Sequence, residues 1–578
     1  MKINEINEFE RKKEVIWDKK IEMKDGIKLS TDIYLPQTNG KSFPTILIRT
    51  PYNKSRADEI EHGTRDVEYF VNNGYAVVIQ DVRGRGDSEG EWVPFINEGK
   101  DGSETLDWIS KQDWCDGKIA MMGGSYRGFV QWIAARENPD ALTTMVSTAA
   151  AGKWFQELPF TNGTVSLTSI EWLNLTGGKT MQNPDQINWE EVLWHLPLKT
   201  MGEKMGRDNT VWKEWLSHST LDAYWKDLLL TEEDFNKLEL PVLHITGWYD
   251  GDQPGAMHFY EGMKKNSPAS DKQFLIAGPW NHGGTRIPRA KLGGMDFTKD
   301  SLMDLKKIHR LWFDTELKED DGAWEELEEI FSDKKTKTFS MGENKWKERD
   351  SWPPRIEMTP WYFHSNGKAN TLKGDGELKP ESPEKEPFDS YSYDPEDPVV
   401  PEVDFNFYSD SHNPSSLDQR YIERRDDVLV FTSDVLENDT ELAGTPEIKL
   451  FASTDKKDTD WVIIISDVYP DGKSVKISEG YLRSRYRNSL EEAELLEPNE
   501  IYEYNFEMSY TVNNTFESGH RIRVAVTSSY FPKVDRNPNT GAEIGEGEKM
   551  KVAKQKIYHD EDHPSKIILP IVKNENNC

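Results

Sequence analysis

The stretch "KIAMMGGSYRGFVQWIAARENP", Lys118 to Pro139, restricts what this chain can become more than any other. An apolar run ends in two glycines, a serine follows, and a helix-like segment begins at once. Serine gains nothing from packing in such a place. Gly123 stands two residues before Ser125 and Gly128 three residues after it, with Arg127 between. This is close to the G-x-S-x-G arrangement, in which a sharp strand-to-helix turn lifts a serine hydroxyl above a sheet. The plainer reading is a glycine-rich turn with an incidental serine. The strand-like run before it and the helix-like run after it favour the nucleophile. The Tyr126 N–H then opens a helix and can donate to a developing oxyanion.

The surroundings fit an open parallel sheet. "FPTILIRTPY" (Phe43 to Tyr52) and "YAVVIQDVRG" (Tyr75 to Gly84) are continuous, β-branched and bounded by Pro or Gly, as buried strands are. "IAMMG" is a third strand. Between the last two, Gly99 to Lys111 has a helical pattern. Alternation of this kind predicts parallel strands covered on both faces by helices. From Gly152 to Leu238 the pattern changes to Trp- and Leu-rich helical stretches, expected to form an inserted cap. Strands return at "LPVLHITGWYD" and "KQFLIAGPWNHG". Beyond residue 350, turns separate short alternating strands such as "EIKLFAST" and "RIRVAVTSSYF", which predicts an all-β sandwich. The expected division is an α/β core from 1 to 151 and from 239 to 349, a helical cap from 152 to 238, and a β domain from 350 to 578. Residues 366 to 403 read as a long irregular crossing over that last domain.

Size and charge set limits on function. A chain of 578 residues exceeds one compact core. Its net charge of −32 disfavours nucleic acid and anionic membranes as partners. The charged start, "MKINEINEFERKKEVIWDKK", has no apolar core of the signal-peptide kind, so a cytoplasmic location is expected. The two cysteines, Cys115 and Cys578, do not make a disulfide framework. No H-E-x-x-H or similar ligand cluster calls for a metal, and no cofactor is implied. The acidic stretch "DKKDTD" reads as a solvated turn rather than a Ca²⁺ loop.

A serine needs a base. Of twelve histidines, His282 lies in a loop directly after a buried strand, where open α/β sheets place their ligands. His244 sits inside an apolar strand, His258 and His309 in helical patterns, and His520 in the β region. The orienting acid is expected after a strand between the serine and the histidine. "HITGWYDGDQPG" offers Asp250 and Asp252, with Asp250 nearer the strand end. The plainer role for Asp250 is a helix cap.

These pieces resemble a known family. "RTPYNK", "DVRGRGDSEGEW", "GGSYRG", "GWYDGD", "GPWNHG" and "MGENKW" occur in order, and "DTDWVIIISDVYPDGKS", "GYLRSRYR", "GHRIRVAVTSSYFP" and "DRNPNTG" follow in the β region. Over nearly its whole length the chain is similar to the CocE/NonD serine hydrolases: the cocaine esterase, α-amino-acid ester hydrolase and X-Pro dipeptidyl-peptidase group. The resemblance implies an α/β-hydrolase core, a helical cap and a C-terminal jelly roll of the galactose-binding-like kind. It implies a triad of Ser125, Asp250 and His282, and an oxyanion hole made by the Tyr52 hydroxyl with the Tyr126 N–H. Only the resemblance singles out Tyr52. "DVRGRGDSEG" is expected to be structural, with Asp81 and Arg83 tying loops together by ion pairs.

The expected activity is hydrolysis of esters or amides of small acyl or aminoacyl groups through an acyl-enzyme, without a cofactor. The alternative is release of N-terminal X-Pro dipeptides, and a further one is a carbohydrate-binding protein with an inactive core. The absence of the extra N-terminal helical domain of the large X-Pro peptidases favours the esterase or acylase reading. Partners are small esters, amides or short peptides, and a homo-oligomer is left open. The amino-ester hydrolases hold their substrate ammonium with a carboxylate cluster. Asp252 falls where one member would lie, Gln253 stands in place of a second acid, and no third is evident. Trp154, Phe155 and Trp172 in the cap would suit an aromatic or acyl group, although helix packing explains such residues equally well.

Overall fold

The structure is a computed structural model that describes residues 13–37, 42–55, 66–402 and 416–573. Its centre is a sheet of ten strands. They run in the order Lys13–Glu22, Lys28–Pro36, Ala76–Asp81, Phe43–Thr50, Cys115–Gly124, Leu142–Thr148, Val242–Tyr249, Gln273–Asn281, Thr336–Ser340 and Lys345–Arg349. From Ala76–Asp81 to Thr336–Ser340 every pairing is parallel, and the edges are antiparallel. This is an α/β-hydrolase core.

Period-two alternation explains its two covered faces. Leu47 and Met121 join one apolar cluster with Leu106 of helix Glu98–Ser110 and Phe129 of helix Tyr126–Arg136. Their neighbours Ile46, Ile48, Ala120 and Met122 face the other side. There they meet Ile308, Leu311 and Trp312 of helix Leu305–Lys318. Each large aliphatic side chain so buried contributes about 1.5–3 kcal/mol.

Between the sixth and seventh strands of this order lies the cap. It contains helices Thr168–Leu175, Trp189–Leu193, Met201–Lys204, Thr210–Ser217, Ala223–Lys226 and Glu232–Lys237, and a small hairpin of Phe160–Thr161 with Thr164–Val165. The hairpin was not evident in the sequence. The strands from Ile356 to Val572 form a second sheet system, all-β and mostly antiparallel, which is the C-terminal jelly-roll domain. The stretch expected to be an irregular crossing contributes two strands to it, Glu377–Lys379 and Asp389–Tyr393. Their Pro, Gly and Lys neighbours hid them.

The β domain docks on the core and cap through polar contacts. Gln253 donates to the Thr511 carbonyl at 2.7 Å and accepts from the Thr511 N–H at 2.9 Å. Asp535 accepts from the Val165 N–H at 2.7 Å and takes an ion pair from Arg483 at the same distance. The acidic stretch expected to be a solvated turn is a correction: Asp458 and Asp460 are buried, held by Arg485 at 2.8 Å and Arg483 at 2.9 Å. Asp81 and Arg83 do tie loops together, but with separate partners. Arg83 pairs with Asp101 and Asp25 at 2.6 Å, and Asp81 with Lys54 at 3.5 Å. Cys115 is a free thiol, while Cys578 lies outside the described residues. Among the described residues no helix is long and apolar enough to cross a membrane.

Candidate active site

Ser125 ends the strand Cys115–Gly124 and precedes the helix Tyr126–Arg136. Its φ is +63° and its ψ −129°, a strained pair for a residue with a side chain. The strain is held from below, because the Ser125 N–H donates to the Thr148 and Ala149 carbonyls, both at 3.0 Å. The glycine at 128 has its own reason. A Cβ there would meet the Ala150 Cβ at 2.7 Å, so the helix could not approach the neighbouring strand end. As the first helical residue, Tyr126 has no intrahelical acceptor for its N–H. Its ring is fixed by a buried chain: the hydroxyl donates to Glu98 at 2.7 Å, and Glu98 pairs with Arg49 at 2.8 Å.

Asp250 follows the strand Val242–Tyr249, and His282 follows Gln273–Asn281. The His282 Nδ1 lies 2.7 Å from Asp250 Oδ1. Asp250 is fully buried and also accepts from the Asp252 N–H at 3.0 Å. Burial by itself would raise this carboxyl. The imidazole, the Asp252 N–H and the charge of Arg286 outweigh it and hold the group below its usual range. Asp252 occupies the N-cap of helix Gln253–Asn266 but makes no side-chain cap bond. Its carboxyl instead takes the Ser125 hydroxyl at 3.4 Å and lies 3.9 Å from His282 Nδ1. Neither acid therefore serves as an ordinary helix cap.

Ser125, Tyr126, Asp252 and His282 border a cavity of about 590 Å³. Tyr52, just beyond the strand Phe43–Thr50, turns its hydroxyl toward Ser125 and accepts from the Trp172 Nε1 at 3.0 Å. Burial raises its phenol, while the Trp172 bond and the nearby charges of Arg127 and Arg286 draw it back. Trp172 lines the cavity, together with Phe95 and Trp215. Trp154 and Phe155 do not. Trp154 is buried with its Nε1 on the Leu228 carbonyl at 3.1 Å, and Phe155 packs on Phe160 and Tyr486. Both belong to the cap core, where helix packing competes with pocket lining and wins.

The comparisons with known proteins follow the same outline. Residues 25–284 match the model of the X-Pro dipeptidyl-peptidase (S15 family), and residues 330–568 that of the X-Pro dipeptidyl-peptidase C-terminal non-catalytic domain. The cocaine esterase of Rhodococcus sp. (strain MB1 Bresler) is 33% identical over 576 residues, covering 96% of this chain and 98% of that protein. The chain belongs to this family. An alpha-amino acid ester hydrolase structure, 27% identical, superposes with a TM-score of 0.84 over 97% of both chains. An aminopeptidase from a marine sediment Thaumarchaeota archaeon, 26% identical, gives 0.83 over the same shares. The protein is accordingly a serine hydrolase, of the esterase or X-Pro peptidase kind.

Within this family frame one acid escaped sequence reasoning. Glu157, at the start of the cap, is buried, lines the cavity and accepts from the Gly152 and Lys153 N–H groups at 3.0 and 2.9 Å. Burial pushes it up to about 8 despite those two bonds. Asp252 is raised well above its usual value by burial, by Glu157 and by Asp250. Gln253 turns away from the cavity to hold Thr511. Nothing in the linear pattern pairs Glu157 with Asp252. Only the fold of the cap loop brings them to one cavity.

Proposed function

We propose that this enzyme cleaves esters or amides of small acyl or aminoacyl groups through an acyl-enzyme on Ser125. The observation that carries the reading is the convergence of Ser125, on its strained turn, with the His282–Asp250 pair at the edge of one cavity. Ser125 Oγ attacks the carbonyl carbon and its proton passes to His282 Nε2. Asp250 holds the ring and stabilises the imidazolium. The Tyr126 N–H and the Tyr52 hydroxyl donate to the oxyanion. The carbon–leaving-group bond breaks as Nε2 returns the proton to the leaving atom. Water then attacks, with its proton taken by His282, and frees the acid.

Glu157 and Asp252 favour an aminoacyl substrate, since two buried carboxyls at one cavity are matched by an ammonium. Trp172 supplies an apolar wall for its side chain. The test is a pair of esters differing only in the amine, phenylalanine methyl ester and methyl 3-phenylpropionate. The amine-bearing ester is expected to have the higher kcat/KM, and preference for the other removes the aminoacyl part of the reading. Labelling by a fluorophosphonate probe, expected at Ser125, tests the nucleophile itself. The family match also supports release of X-Pro dipeptides. Ala-Pro-p-nitroanilide against p-nitrophenyl butyrate separates that reading.

Two further outcomes are expected. Tyr52→Phe should lower kcat by about 10²–10³, since one oxyanion donor is lost. A change confined to KM would make Tyr52 a binding residue. Glu157→Gln should shrink the preference for the amine-bearing ester. In the parent enzyme a bound ammonium must displace the Glu157 proton, so KM for the cation should rise as pH falls below about 8. The same group bears on stability. The folded chain holds this proton more tightly than the unfolded one, so the contribution is complete in acid and is lost as pH rises to about 8. Tm against pH should be flatter in Glu157→Gln, and an unchanged slope would contradict this.

A further inference from the structure

At the cavity wall a tryptophan of the cap is hydrogen-bonded to a phenol of the core. The helix Thr168–Leu175 brings Ser169, Trp172 and Leu175, three residues apart, to the cavity. The Trp172 Nε1–H donates to the Tyr52 hydroxyl oxygen at 3.0 Å. Helix packing accounts for the ring but not for this bond. A buried indole N–H needs an acceptor, and Trp154, Trp212 and Trp225 of the same cap place theirs on the backbone carbonyls of Leu228, Leu198 and His218. Trp172 instead takes the side chain proposed above as an oxyanion donor.

The direction of that bond matters. A phenol has one proton and two lone pairs, while an indole N–H can only donate. The bond therefore occupies a lone pair of Tyr52 and turns the phenol proton away from Trp172. The Ser125 hydroxyl acts on the same phenol. Once Ser125 Oγ has joined the acyl carbon, the oxyanion is two bonds from Oγ, so a proton held on that side meets it. Burial raises the Tyr52 phenol, and the Trp172 bond is the strongest of the influences that draw it back. Hydrogen bonds in a chain polarise one another, so the same bond makes Tyr52 a better donor.

The surroundings hold this pair in register. Arg85, within "DVRGRGDSEG", is fully buried. Its Nε donates at 2.7 Å to the carbonyl of Pro51, the residue before Tyr52. Its Nη1 donates to the Thr176 and Gly178 carbonyls, just past the helix that carries Trp172. One guanidinium thus ties the strand end of Tyr52 to the helix of Trp172. Before that helix the β domain adds its own hold, with the Val165 N–H on Asp535 at 2.7 Å and the Leu167 N–H on the Lys533 carbonyl at 3.3 Å. The indole also stacks on the Tyr126 ring, with centroids 5.8 Å apart, and on Phe95 at 5.5 Å. Trp172 therefore adjoins both residues proposed to donate to the oxyanion.

We propose that Trp172 is a positioning residue whose indole N–H aims the Tyr52 proton at the oxyanion, resting on the reading of Tyr52 as an oxyanion donor. Its role is then distinct from that of an apolar wall. The cap donates nothing to the oxyanion directly, yet it sets the donor that the core supplies. As negative charge builds on the carbonyl oxygen, the Tyr52 O–H bond polarises and Oη becomes a stronger acceptor for Nε1–H. The Trp172 bond is therefore felt in the transition state more than in the substrate complex, and in kcat more than in KM.

The test uses the full chain with p-nitrophenyl acetate and p-nitrophenyl butyrate. Replacing Trp172 by 3-benzothienylalanine keeps the shape of the ring and removes the N–H. It should lower kcat by about three- to tenfold on both esters, the range of one neutral hydrogen bond, and leave KM nearly unchanged. In a Tyr52→Phe background there is no hydroxyl to hold, so the same replacement should cause no further loss in kcat. Trp172→Phe, which also lacks the N–H, should show the same coupling to Tyr52 beside a rise in KM from its smaller ring. A purely structural role would lower kcat equally with and without the Tyr52 hydroxyl, which overturns the proposal. An effect confined to KM, or an unchanged kcat, overturns it as well. If Tyr52→Phe lowers kcat while loss of the indole N–H does not, this inference falls alone. If Tyr52→Phe itself leaves kcat unchanged, the oxyanion reading beneath it falls too.

Discussion

Ser125→Ala is expected to abolish the burst of p-nitrophenol from p-nitrophenyl butyrate and to lower kcat by about 10⁶, the scale of losing a nucleophile that works as part of a unit. The remaining rate should still exceed that of water, because the groups proposed as oxyanion donors and the cavity persist. The fold should tolerate the change. Alanine keeps the strain of a φ of +63°, and the hydroxyl's hydrogen bond to Asp252 is a long one, at 3.4 Å. Ser125→Gly is therefore a useful companion. It removes the nucleophile and relieves the backbone, so it should melt above the alanine variant by an amount equivalent to about 1 kcal/mol. Loss of activity with loss of folding in both would leave Ser125 a structural residue. A retained burst in folded Ser125→Ala would end the acyl-enzyme account.

The uneven legibility of the site follows from how local each determinant is. The turn proposed to carry the nucleophile is encoded within a few residues: an apolar strand, small residues and a helix start. Asp250 and His282 each follow a buried strand, so the parallel sheet that the apolar runs predict also brings their loops to one edge. Alternation along Phe43–Thr50 and Cys115–Gly124 likewise carried the two-faced core. Glu157 had no such signal. It reaches the cavity because Gly152 and Lys153 bind its carboxyl, a loop contact with no periodicity behind it. Tyr52 stood out only through family resemblance. The aromatic wall was only partly legible, for a different reason. Trp154, Phe155, Trp172 and Trp215 look alike in sequence, and only the packing decides which rings meet solvent. The buried acids Asp458 and Asp460 looked like a turn because Arg483 and Arg485 lie far along the chain.

Asp250→Asn is expected to lower kcat by about 10⁴ while leaving the fold intact, since the replacement keeps the shape of the side chain. The carboxylate sits 2.7 Å from His282 Nδ1 and is held ionised below its usual range. That charge requires the ring proton on Nδ1, which leaves Nε2 as the acceptor for the Ser125 proton. An amide can offer N–H to Nδ1 instead. The proton then moves to Nε2, and the nitrogen facing the chemistry becomes a donor. The imidazolium of the transition state also loses its buried counter-charge. Asp252→Asn is the discriminating control, because Asp252 Oδ2 is 3.9 Å from the same Nδ1 and closer to the serine. It should mainly weaken the preference for amine-bearing esters, with a much smaller loss in kcat on the amine-free ester. If Asp252→Asn instead gave the larger loss on that ester, the orienting acid would be Asp252, and the ammonium would have to be held by Glu157 without it. The pH profile offers an independent reading. A low-lying Asp250 carboxyl stabilises the folded protein above its ordinary titration range, and that contribution is lost as pH falls through its depressed value. Acid unfolding of Asp250→Asn should therefore depend less steeply on pH than that of the parent enzyme.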